Sequence, residues 1–133
     1  MSVAFTEAAV LNRSKTVTRR KGWWEDRRGR RILTRGTRLT LCRKVMGRKP
    51  GEPLVRLCDV EVISVRREPL AAVMGPYTIT PAGKVIWTEL VAEGFPDLEP
   101  MEFMRRYFID PQGIELADDV TRIEWRYLEE ARR

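Results

Sequence analysis

Apolar and polar positions divide the chain into short elements. Phe5 to Asn12 (FTEAAVLN) predicts a short helix with Phe5, Ala9 and Leu11 toward one side. Ser14 to Arg20 (SKTVTRR) carries a β-branched pattern that favours an extended run. Lys21 to Gly36 is polar, basic and glycine-containing, a long loop of the kind often used for function. Arg38 to Met46 alternates as a strand, with Leu39, Leu41 and Val45 on one face. After the turn cluster Gly47 to Pro53, Leu54 to Arg66 is the strongest strand. Cys58, Val60 and Val62 share one of its faces, and Leu57, Ile63 and Val65 the other. Apolar residues on both faces predict a central strand of a barrel-like sheet, paired with the preceding run as an antiparallel hairpin.

In the second half, Glu68 to Val73 predicts a helical turn with Pro69 at its first position, stopped by Gly75-Pro76. Tyr77 to Thr80 reads ambiguously between loop and strand. Ile86 to Ala92 predicts a helix with Ile86 and Leu90 inward and Gly94 as its C-cap. Met101 to Phe108 predicts another, with Met101, Met104 and Phe108 at i, i+3 and i+7. Asp110 to Asp119 reads as a loop. Val120 to Leu128 predicts a closing strand, with Ile123, Trp125 and Tyr127 inward and Arg122, Glu124 and Arg126 outward. The sum is α+β: a small curved sheet with short helices on one side, one domain over residues 1–133, and no internal repeat.

Composition narrows the chemistry. With 43% hydrophobic and 33% charged residues, the chain is that of a folding domain. No apolar run approaches the roughly 20 residues that span a bilayer, and the start lacks the form of a secretory signal. The expectation is a cytoplasmic protein with no membrane partner. The two cysteines, Cys42 and Cys58, and the absence of histidine cannot make a four-ligand zinc site, so no metal and no cofactor are expected. Both thiols are expected to be small buried apolar residues. Without histidine, acid–base work falls to Glu, Asp, Lys, Cys or Tyr with a perturbed pKa.

Charge is strongly polarised. Residues 13–49 hold 15 Lys/Arg and 2 acidic residues, a local +13, whereas the remainder holds 10 and 17, a local −7. Such a face suits a polyanion, most simply RNA. Trp23 and Trp24 offer stacking surface, and Arg27, Arg28, Arg30 and Arg31 offer phosphate contacts. The alternatives are a solvated basic loop and a tryptophan pair that plugs the end of a barrel.

The run Lys15-Thr16-Val17-Thr18-Arg19-Arg20 concentrates hydroxyls and cations. By itself it reads equally as an anion-binding edge and as an edge strand whose charges block aggregation. It resembles the Lys-Thr-x-Thr-x-Arg signature of ASCH domains, a PUA-like β-barrel family. Arg67-Glu68-Pro69-Leu70 after the hairpin, Glu93-Gly94-Phe95 before a helix, and the final strand resemble further elements of that family, in the same order. The resemblance implies a PUA-like barrel with short helices packed on it and a cleft for RNA or a nucleoside. Small bacterial members are N4-acetylcytidine amidohydrolases, whose catalytic lysine, threonine and glutamate correspond to Lys15, Thr18 and Glu93. Thr16, Arg19 and Arg20 would then contact substrate or nucleic acid. Residues 21–36 and 74–88 depart from the small enzymes in length or basicity, which leaves substrate identity open.

The chemistry also follows from the side chains. Thr18 needs a neighbour to accept its proton, and Lys15 can do so if burial and Arg19 and Arg20 lower its pKa. Glu93 would protonate the leaving amine, and Arg20 would hold a phosphate or a developing oxyanion. Lys15 and Thr18 are three apart, which on a straight strand points them to opposite faces, so Lys15 must sit on a bend at Arg13-Ser14. A non-catalytic RNA-binding module and a metal-independent ribonuclease are the rival readings. The oligomeric state is left open.

Overall fold

The computed structural model describes residues 1–22, 28–45 and 47–129. Four strands form one antiparallel sheet: β1 (Val17–Arg20), β2 (Arg38–Cys42), β3 (Arg56–Pro69) and β6 (Asp119–Tyr127), in the order β1-β6-β3-β2. A separate two-stranded ribbon pairs β4 (Tyr77–Ile79) with β5 (Val85–Trp87). Short helices complete the fold: α1 (Glu7–Leu11), α2 (Thr88–Glu93), α3 (Pro100–Met104) and α4 (Asp110–Gln112). The α+β expectation is therefore met, as is the hairpin of β2 with β3. The described strands make no closed barrel. The last strand does not close the sheet; it lies inside, between β1 and β3.

β3 departs from strict alternation for a local reason. Val62 opposes Trp125 and Ser64 opposes Glu124, so Ile63 is an extra residue in a bulge. The bulge returns Val65, opposite Ile123, to the face of Val60 and Val62. Strict alternation had placed Val65 on the other face. Ile63, displaced from the ladder, is exposed. Val60, Val62, Ile123 and Trp125 form one core with Val3, Val10, Leu33 and Leu41. The second core gathers Leu70, Val73, Leu90, Phe103, Met104, Phe108, Ile114 and Val120 under the helices.

Several element boundaries differ from the periodic reading. β2 ends at Cys42, after a register irregularity between Leu41 and Cys42, and there the first residues join it: Cys42 N donates to Met1 O and Val3 N donates to Cys42 O, at 2.7 and 2.8 Å. Ile86 lies in β5 rather than a helix, since Tyr77–Ile79 supplies a partner strand across a turn at Gly83. In α1 it is Val10, with Thr6 just before the helix, that is buried, while Phe5 and Leu11 are exposed. Met101 is also exposed, and Phe103 takes the inward place beside Met104. A π-helical turn, Arg105–Ile109, follows α3; its five-residue spacing aligns Phe103 with Phe108, their rings 5.6 Å apart. The helical path runs on through Gln112, into the segment read as a loop. Cys42 is buried and Cys58 half-buried, and the two do not form a disulfide. No helix among the described residues is long and apolar enough to cross a membrane.

Candidate functional site

The motif is positioned by a turn and two backbone anchors. Ser14 N donates to Asn12 Oδ1 at 2.9 Å, and Arg13 adopts a left-handed conformation with φ 64°. Lys15 N then donates to Ala9 O, Thr16 N donates to Ala92 O, and Trp125 N donates to Thr16 O. Lys15 is thereby held before β1 begins, on the expected bend. β1 pairs with β6 in the register Thr18 to Ile123 and Arg19 to Arg122, and packs its other side on α2.

α2 places Glu89 and Glu93 one turn apart on the same face. Its C-cap Gly94 has φ 92°, and a Cβ there would lie 3.1 Å from both Ala9 and Thr6 side-chain carbons. Only glycine satisfies the backbone and the close approach of α1, and that approach sets Glu93 beside Lys15.

Lys15, Thr18, Arg19 and Glu93 are all buried. Lys15 Nζ donates to Val17 O at 2.8 Å and to Glu93 O at 2.5 Å, and lies 3.9 Å from Glu93 Oε1. Its pKa is lowered from the ordinary 10.5 to about 8. Burial is the main cause; the Glu93 carboxylate opposes it, and Arg20 and Arg19 add to it. Two carbonyl acceptors match the two N–H bonds of a neutral amine and leave its lone pair available.

Arg19 is held in a network of carboxylates. Its backbone N–H donates to Glu93 Oε1 at 3.1 Å. Its Nη2 donates to Glu68 Oε1 at 2.9 Å and also to Glu89, and Nη1 lies 3.6 Å from Glu93 Oε2. The guanidinium is thus a buried bracket among three carboxylates. Arg122, expected to point outward, is buried too, with Nε donating to Glu89 Oε1 at 2.7 Å. Burial pushes the Glu89 pKa up, but the hydrogen bonds from Arg122 and Arg19 outweigh it and hold the carboxyl below its usual range. The periodic reading missed Glu68, Glu89 and Arg122; the i, i+4 spacing of Glu89 and Glu93 was the available signal.

Lys15, Thr18, Arg19, Arg20 and Glu93 line one cavity of about 610 Å³. Aromatic side chains line it as well. Phe95, Phe103, Tyr107 and Phe108 pack as tilted rings, and Phe5, exposed beside them, has its ring 5.6 Å from Tyr107. A few polar groups in a largely apolar lining are the usual composition of a small-ligand site.

Thr16 is tied between α2 and β6 by its backbone and does not line the cavity. Arg28, Arg30 and Arg31 are exposed and are not among the cavity's lining residues. Trp23, Trp24 and Arg27 fall outside the described residues. The described residues hold no cluster of three or more metal-ligating side chains.

Comparison of the chain with protein-family models, with curated proteins and with solved structures finds no match in any of the three.

Proposed function

We propose that the chain is an ASCH-type, PUA-like domain whose cavity takes a cytidine-type nucleoside, free or within RNA, and removes an N4-acyl group. The observation that supports this most is the convergence of Lys15, Thr18 and Glu93 in one cavity with an aromatic wall. With a pKa of about 8, roughly a quarter of Lys15 is neutral at pH 7.5. In that form it takes the Thr18 hydroxyl proton, and Oγ1 attacks the acyl carbonyl carbon. The C–N bond then breaks. The proton held by Lys15 passes by way of Glu93, 3.9 Å away, to the leaving exocyclic nitrogen. Water hydrolyses the threonyl ester, restoring Thr18 and releasing the carboxylic acid. The aromatic wall receives the planar base.

The test is incubation of the purified protein with N4-acetylcytidine, followed by mass detection of cytidine and acetate. The expected result is turnover that Thr18→Ala and Lys15→Ala each reduce by about 100-fold or more. No turnover with any acylcytidine, with cytidine binding unchanged in Thr18→Ala, would remove the hydrolase reading. A non-catalytic RNA-binding module is the second reading, supported by the net +13 of residues 13–49 and the exposed Arg28, Arg30 and Arg31.

A further inference from the structure

The charged side chains lining the cavity are Lys15, Arg19, Arg20 and Glu93. Arg19 is neutralised by the three carboxylates that surround it, and Lys15 lies within ion-pair distance of Glu93. Arg20 differs. Its Nη2 donates to Ser2 O at 2.9 Å and its Nη1 to Arg19 O at 3.3 Å. Among the described residues it forms no ion pair. Backbone carbonyls orient a guanidinium but do not cancel its charge. They also occupy only two of its five N–H donors, so the fork keeps donors for a further acceptor.

We infer that Arg20 is the phosphate-binding residue of the cavity, so that the ligand is a phosphorylated cytidine, as a mononucleotide or as a nucleotide within RNA, rather than the free nucleoside. This rests on the reading of the cavity as a nucleoside site. A phosphate presents two oxygens that a planar guanidinium fork can meet with paired N–H···O bonds. Burial lowers the pKa of Arg20, and Glu93 only partly offsets that, as expected for a cation set into a wall without a counter-ion of its own. Glu93, the one carboxylate in the lining, is engaged by the Arg19 backbone N–H and by Lys15, which limits its repulsion of an incoming phosphate. The inference also divides the labour within the motif. Arg19 braces the catalytic carboxylate, and its neighbour Arg20 meets the ligand.

The experiment measures equilibrium binding of three probes by calorimetry: cytidine, 5′-CMP, and the dinucleotide CpC without a terminal phosphate. At least one phosphorylated probe is expected to bind tenfold or more tightly than cytidine, with the advantage shrinking as salt is raised. A gain confined to CMP identifies a monoester ligand, and a gain shown by CpC identifies a diester within RNA. Arg20→Gln is expected to reduce the advantage to less than threefold. Arg20→Lys keeps the charge and loses the fork, so it is expected to retain part of the advantage. It also carries the test should Arg20→Gln fail to fold. Equal affinity for all three probes overturns the inference and leaves the nucleoside reading standing. No binding of any probe overturns both. An advantage unchanged in the folded Arg20 variants overturns the assignment to Arg20.

Discussion

Replacing Lys15 with methionine should change the pH dependence of stability in a calculable way. In the folded protein Lys15 has a pKa of about 8 against an ordinary 10.5, so between those values the unfolded chain holds more protons. Stability attributable to this group therefore rises with pH, from a low level below pH 8 to its full value above pH 10.5. The whole shift corresponds to about 3 kcal/mol, and the part realised between pH 7 and pH 9.5 to about 2 kcal/mol. Lys15→Met leaves the carbonyls of Val17 and Glu93 without their donor, at a cost of about 1–3 kcal/mol that does not vary with pH. Tyr127, whose pKa is raised by burial, titrates in both proteins and cancels in the difference. Urea unfolding of the parent and Lys15→Met at half-unit steps from pH 7 to pH 9.5 measures that difference. The expected outcome is a parent that gains about 2 kcal/mol relative to the variant across the range. A difference flat to within about 0.5 kcal/mol would refute the depressed pKa. In acylcytidine hydrolysis the same group predicts a kcat/KM that rises with pH and levels off above about 8.

Three further outcomes are expected. Arg19→Met leaves Glu68, Glu89 and Glu93 without their shared cation and should destabilise the fold by about 3–5 kcal/mol in denaturant unfolding. Gly94→Ala forces a Cβ onto α1 in a left-handed conformation; it should cost more than about 1 kcal/mol and, by moving Glu93, lower hydrolysis more than it lowers stability at room temperature. RNA binding, measured by fluorescence anisotropy, should weaken steeply with salt and lose part of that slope when Arg28, Arg30 and Arg31 are replaced by glutamine.

Much of the site could be read along the chain because its residues sit where local rules operate. The extended run, the bend before it, the glycine C-cap at Gly94 and the hairpin of β2 with β3 all follow from short-range propensity and turn chemistry. Arg19 shows where that kind of reading stops. A cationic residue in a basic run gives no sign of its ion pairs, which Glu68 and Glu89 supply from positions 49 and 70 residues away. The same holds for Arg122, whose alternation points it outward although α2 covers that face with Glu89.

Periodicity failed where the backbone departed from a regular repeat. The bulge at Ile63 moved Val65 to the other face, and the π-helical turn aligned Phe103 with Phe108. Neither leaves a mark in a hydrophobic pattern that assumes spacings of two or 3.6 residues. The sequence by itself determined the α+β class, the charge polarity and the absence of histidine, whereas the candidate trio of Lys15, Thr18 and Glu93 came from the resemblance of its motifs to a family signature. Only the tertiary structure decided that the trio shares a cavity, that Lys15 is desolvated, and that Arg20 rather than Arg19 is left without a carboxylate partner among the described residues. The physical reason is that burial and ion pairing depend on which distant segments pack together, whereas propensity and charge belong to each residue where it stands.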